Sequence, residues 1–157
     1  MDNLGPDRIT LDVRDIVNVL NDLIQTNRDS EKLFAYATGD VQNIGHKATF
    51  ARYSRQRAGF ARALQSAVLR LAGDPAGSGS VVGAILQGWM DVKSAVSVRE
   101  DLAVLQEVER GEDLAKRHYE AALQRSLSDD VRGLLERQYA SVRECHDRIR
   151  LLSGSTN

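Results

Sequence analysis

The chain is predicted to be an all-α, up-down-down-up four-helix bundle, and three observations lead there. Four long segments repeat their apolar residues at alternating steps of three and four, the spacing of one face of a helix. Prolines number only 2 and aromatics only 5%, while Ala, Leu, Arg and Glu abound, a composition that suits helix and not sheet. A Gly/Ser-rich stretch near the middle separates the segments two by two, so each pair can close as a hairpin and a long crossover can join them. At 157 residues the whole reads as a single domain, with a tail over 1–9, a linker over 73–80 and a C-terminal tail over 153–157.

The first helix is expected from Thr10 to Asp40, its seam running Val13, Val17, Leu20, Ile24, Asn27, Glu31, Phe34 and Thr38. Two polar residues, Asn27 and Glu31, interrupt that seam. The second is expected from Ile44 to Ala72, with Phe50, Tyr53, Arg57, Phe60, Leu64, Ala67 and Leu71 in register and Gly73 and Pro75 ending it. Then comes the linker Gly73-Asp-Pro-Ala-Gly-Ser-Gly-Ser80. A short extra helix is predicted in the crossover, about Ser80 to Val96, from Val81, Val82, Ile85, Leu86, Trp89 and Met90. The third long helix spans Arg99 to Ser126 on Leu105, Val108, Glu112, Ala115, Tyr119 and Ala122. Ser128 is set to cap the fourth, which reaches Leu152 on Val131, Leu135, Gln138, Val142, Cys145, Ile149 and Leu152.

The two hairpins resemble one another. Ser30-Glu31-Lys32-Leu33 corresponds to Gly111-Glu112-Asp113-Leu114, and both glutamates fall in apolar seams, where a carboxylate is not expected without a partner. A bundle that offers a Glu from each of two helices and a Glu-x-x-His from each of the others holds a pair of iron or manganese ions, because carboxylates bridge hard cations and imidazole orients them. The second and fourth helices depart from that pattern. Opposite the glutamates they read Arg57-Ala-Gly-Phe60 and Arg143-Glu-Cys-His146, which leaves Glu31, Glu112 and His146 as candidate ligands. Arg57 stands where a ligand belongs. A guanidinium has no lone pair to give and repels a dication, so the residues point to a buried network of Glu31, Arg57 and Glu112 in place of a metal centre.

Several separated motifs, Leu20-Asn-Asp-Leu-Ile24, Gly88-Trp-Met-Asp91, Glu109-Arg-Gly-Glu-Asp113, Leu135-Glu-Arg-Gln-Tyr139 and His146-Asp147, occur in an order that resembles a family of uncharacterised bacterial four-helix bundles of the ferritin-like group, carried as a domain of unknown function. The resemblance runs from about Val19 to Leu152. It implies a ferritin-like fold and descent shared with di-iron carboxylate proteins, and it implies no established activity. Carried across position by position, the ferritin-like metal motif is matched by Glu31 and Glu112 and in part by His146, and Arg57, Phe60 and Arg143 depart from it.

Other chemistry is thinly represented. Cys145 is the sole cysteine, which excludes an internal disulfide and a Cys-based zinc site and fits a reducing compartment. Neither a signal peptide nor an apolar run of membrane-spanning length is expected, so the protein is read as cytoplasmic and off the membrane. The second helix carries Lys47, Arg52, Arg55, Arg57, Arg62 and Arg70 with no acid between Val41 and Gly73. Acids on the first helix (Asp12, Asp15, Asp22, Asp29, Asp40) and the third (Glu107, Glu109, Asp113) are expected to meet that face inside the bundle, which argues against nucleic acid. Gly77-Ser-Gly-Ser-Val-Val-Gly83 lacks the ending of a phosphate-binding loop. Two functions follow. The first is a non-catalytic structural or interaction protein, a homo-oligomer or the partner of another protein, with no cofactor; the alternative is an oxidoreductase or iron-handling protein binding iron, manganese or zinc through Glu31, Glu112 and His146.

Overall fold

A computed structural model describes residues 11–76 and 101–154. They form α1 (Val13–Asp40), α2 (Ile44–Arg70), α3 (Asp101–Leu123) and α4 (Asp129–Ser153), with no strand among the described residues. The extra helix expected over Ser80–Val96 and the tail over 1–9 lie outside them.

Local chemistry sets the helix ends. Asp12 caps α1 by accepting the Asp15 N–H at 2.9 Å, and Asn43 caps α2 by accepting the His46 N–H at 3.0 Å. Ser128 occupies the N-cap of α4 without a side-chain hydrogen bond, and there Asp129 and Asp130 face the positive end of the helix dipole. Gly154 closes α4 in the left-handed region at φ 75°, so the helix continues into what was expected to be a tail. α2 ends at Arg70, two residues before the expected Ala72. Ala72, not Gly73, takes the left-handed conformation (φ 57°), its N–H bonding Leu69 O at 2.9 Å while Gly73 N–H reaches Val68 O at 3.0 Å. Gly73 serves another need: a Cβ there would come within 2.8 Å of Val17 Cγ2.

Backbone and side-chain bonds fix the directions. Leu11 N–H donates to Ser126 O at 2.9 Å, and the Asp101 carboxylate accepts from Gln42 N–H at 2.7 Å and Asn43 N–H at 2.9 Å, so α1 and α3 run antiparallel. Gln138 reaches back to Phe60 O, and Arg148 lies close to Tyr53, so α2 and α4 are antiparallel as well. The order is up-down-down-up. α1 packs on α2 and α3, and α4 packs on α3 and α2, leaving α2 and α3 on one diagonal of the bundle.

Two apolar clusters fill the interior. One gathers Leu20, Ile24, Leu64, Leu135 and Val142 toward the start of α1; the other gathers Phe34, Phe50, Tyr53, Val108 and Ile149 toward its end. Phe34 is the hub of the second, with ring centroids 5.9 Å from Phe50 and 5.4 Å from Tyr53. Between the clusters the bundle is polar.

Every seam residue read on α3 is buried, and so are all those on α4 except Leu152. On α1 the stripe is wider than the predicted seam and turned away from part of it. Ile16, Leu23, Ser30, Leu33 and Ala37 face inward, whereas Val13 is 52% exposed and Glu31 lies at the flank. The cause is that α1 packs closely against both α2 and α3, so its apolar face spans two contacts and no single line of residues describes it.

Candidate functional site

The polar waist has two layers, each assembled from several helices. In the first, Arg57 of α2 and Glu112 of α3 meet across the diagonal with no exposed side-chain surface on either. The guanidinium is held fork to fork: Nη1 donates to Glu112 Oε1 at 3.0 Å and Nη2 to Oε2 at 2.7 Å. The Arg57 Cζ lies 5.7 Å from the centroid of the Phe34 ring of α1. Burial by itself would lower the Arg57 pKa, but the Glu112 carboxylate outweighs it and keeps the guanidinium charged, above its ordinary value. Cys145 of α4 completes the layer, buried close enough to Glu112 to feel its charge. Desolvation first and that carboxylate second push the thiol pKa far up, which favours its protonated form.

The second layer is a neutral relay. Asn27 Nδ2 of α1 donates to Leu23 O at 2.8 Å and to Tyr119 Oη at 2.6 Å. The Tyr119 hydroxyl of α3 donates to Gln138 Oε1 at 2.8 Å, and Gln138 Nε2 of α4 donates to Phe60 O of α2 at 3.3 Å. All four helices are thereby tied at one level. Desolvation raises the phenol well above its usual range, so Tyr119 stays a neutral donor. Asn27 Oδ1 is buried without a partner. Sequence reasoning placed Asn27, Tyr119 and Gln138 in seams without assigning them a role; three polar residues with amide or hydroxyl groups in otherwise apolar stripes were the available signal.

The candidate residues are therefore divided. Arg57 and Glu112 come together, and Glu31 does not join them. Its side chain is 29% exposed and pairs with Arg28 one turn back, Nη1 to Oε2 at 2.8 Å. The expected three-residue network is corrected to two, because Ser30 takes the inward position at that turn and moves Glu31 to the edge. His146 is buried, but its Nε2 faces the Asp113 carboxylate and its Nδ1 lies 3.3 Å from Asp147 Oδ1, away from any glutamate ligand. Both oxygens of Glu112 are engaged by a guanidinium. The set Glu31, Glu112 and His146 is not assembled, and among the described residues no group of three or more His, Cys, Asp or Glu side chains has metal-holding geometry. The donor groups do not fit the dimetal arrangement. Arg143 is exposed and Phe60 half-buried, so neither replaces a ligand at the waist.

The neutralisation expected for α2 is corrected too. Asp12 caps α1, Asp29 accepts from Gln25, Glu107 pairs with Arg110, Asp113 faces His146 and Glu109 accepts from Ser153. α3 lies diagonal to α2, and among the described residues Glu112 alone of its acids forms an ion pair with a cation of that helix, Arg57. Lys47 donates to Thr38 O at 3.0 Å, which accounts for one cation of that helix, and Arg57 for another.

Comparison with known families places the chain. A family model described as a domain of unknown function (DUF2383) matches residues 15–125, more than half of the chain, and the protein belongs to that family. The match covers α1, α2 and α3, so Arg57, Glu112, Asn27 and Tyr119 lie inside it while Gln138, Cys145 and His146 of α4 lie beyond. A search of curated proteins returned no match. No helix among the described residues is long and apolar enough to cross a membrane.

Proposed function

We propose that this protein is a non-catalytic, cytoplasmic member of the ferritin-like group of four-helix bundles, in which an internal ion pair stands in for a dimetal centre and function is exerted through contact with a second copy or another protein. The observation that carries the reading is the bidentate Arg57–Glu112 pair, wholly buried on the bundle diagonal. Two like charges would be needed there to attract a pair of cations; instead a permanent cation consumes the carboxylate at that level. With its thiol protonated and its histidine engaged by aspartates, the waist offers no activated nucleophile, and its polar groups are spent on joining helices.

Elemental analysis of protein purified without chelators tests the reading. Iron, manganese and zinc are expected well below one equivalent per chain, and added ferrous iron should be oxidised no faster than in buffer. Metal near one or two equivalents, lost on replacing Glu112 with Gln, would overturn it.

A further inference from the structure

Two surfaces of the bundle take no part in the waist. On the outward side of α2, Arg52, Arg55, Arg62 and Arg70 stand exposed on a helix that has no carboxylate. None of the four forms an ion pair among the described residues; Arg52 leans over the Tyr53 ring at 5.4 Å, and Arg62 lies close to Gly59. Leu69, seven positions beyond Arg62, is 63% exposed on the same face.

The second surface is a groove of about 480 Å³ between α1 and α3. Val19, Leu23 and Ala122 contribute its apolar lining, and Asp22, Asp29, His118 and Arg125 its polar one. Asp22 is exposed and forms no ion pair among the described residues. Asp29 is half-buried, with only Gln25 Nε2 on its carboxylate at 3.0 Å, and desolvation raises its pKa although Gln25, Lys32 and His118 oppose the rise. His118 is turned to Thr26, whose hydroxyl lies 2.8 Å from Nδ1. Among the described residues neither carboxylate forms an ion pair, although Arg125 lines the same groove.

The two surfaces share a spacing. Asp15, Asp22 and Asp29 recur every seven residues on α1, as Arg55, Arg62 and Leu69 do on α2, and seven residues of helix cover about 10.5 Å. We propose that the chain associates with a second copy of itself, the α2 face of one molecule seated on the α1/α3 groove of the next. In the antiparallel register Arg55 meets Asp29, Arg62 meets Asp22, and Leu69 falls level with Asp15, about a turn beyond the Val19 end of the groove. An extended polyanion or an anionic membrane is the poorer occupant: outside α2, with its six cations, the chain carries a net charge of -7, which disfavours a long anionic surface. A narrow acidic stripe avoids that repulsion. The two faces differ, so the contact is heterologous and repeats from molecule to molecule. This inference rests on the interaction role proposed above and names the partner.

Sedimentation velocity of the full chain tests it at about 0.01 M and about 1 M salt, where charges are felt over about 30 Å and about 3 Å. The weight-average sedimentation coefficient is expected to climb with protein concentration at low salt and to stay at the monomer value at high salt. Arg55→Asp/Arg62→Asp and Asp22→Arg/Asp29→Arg should each weaken association at least tenfold, roughly 1.4 kcal/mol. An equimolar mixture of the two variants should recover it, since one retains the groove and the other the α2 face. A monomer at every concentration, association indifferent to either reversal, or capture of heparin or phosphatidylserine vesicles by the wild-type α2 face without self-association would each overturn the proposal. Metal assayed on the same samples separates the two failures: a metal-poor monomer removes this interface alone, whereas a metal-loaded chain removes the interaction reading beneath it.

Discussion

Glu31 and Glu112 stand at corresponding places in the two hairpins, each after a small residue and two positions before a leucine, yet their surroundings are opposite. Glu112 is sealed at the bundle diagonal with Arg57. Glu31 lies on the flank of α1 and pairs with Arg28 of its own helix. The difference comes from which residue of the motif each helix turns toward its neighbours. On α1 the small residue, Ser30, faces inward; on α3 the small residue, Gly111, sits against Leu33 of α1 and the glutamate follows it into the interior. Adjacent helical positions differ by about 100°, enough to move a carboxylate from core to surface. Burial then decides what each pair is worth, since a charge removed from water needs its partner and an exposed one has solvent.

Breaking the buried pair is the strongest test of that contrast. Arg57→Met strands Glu112 and should destabilise the fold by about 3–5 kcal/mol in urea titrations. Adding Glu112→Leu should recover the loss, to wild-type stability or about 1–4 kcal/mol above it, because the desolvation cost goes with the charges. A nearly neutral single variant would contradict the ion pair's role.

The neutral layer gives a smaller effect. Tyr119→Phe removes the hydroxyl shared by Asn27 and Gln138, and a loss of about 1–3 kcal/mol is expected in the same measurement. Full wild-type stability would mean that the relay does not tie the helices.

Asp101 extends the comparison to a partly exposed carboxylate. Partial burial raises its pKa, but the Gln42 and Asn43 N–H donors more than offset this and hold it below the ordinary carboxylate range. A depressed folded pKa contributes stability above the unfolded value of about 3.9, and that contribution fades as pH falls through the folded value. Asp101→Asn should therefore cost about 1 kcal/mol near neutral pH, with the gap from wild type narrowing in acid. A gap of constant size from neutral pH to pH about 2.5 would rule out this linkage.

Glu31→Gln comes last. A part-buried pair three residues apart on one helix, still open to water, is worth at most about 1 kcal/mol, so its unfolding midpoint should move little. A loss comparable to that of Arg57→Met would place Glu31 in the waist after all.

Legibility followed the packing of each helix. α3 and α4 were read almost residue for residue, since each buries a stripe that one seam describes: Val108, Glu112, Ala115 and Tyr119, or Leu135, Gln138, Val142 and Cys145. That Arg57 and Glu112 belong to the interior was visible as charge in an apolar register. The flanking position of Glu31 was not, because α1 buries neighbours on either side of its seam and periodicity alone does not choose between Ser30 and Glu31. The reach of acidic residues also depends on packing: α3 is rich in them, yet because it lies diagonal to α2 only Glu112 forms an ion pair with an α2 cation among the described residues.

Sequence alone determined the helices, their pairing into hairpins and the presence of charge inside, because apolar period, capping residues and a flexible linker act locally or through composition. Tertiary structure decided which glutamate met Arg57, where His146 turned and which cations remained without carboxylates. Those outcomes depend on the rotation of each helix about its axis and on which helices share a diagonal, and both are settled only when all four surfaces pack at once.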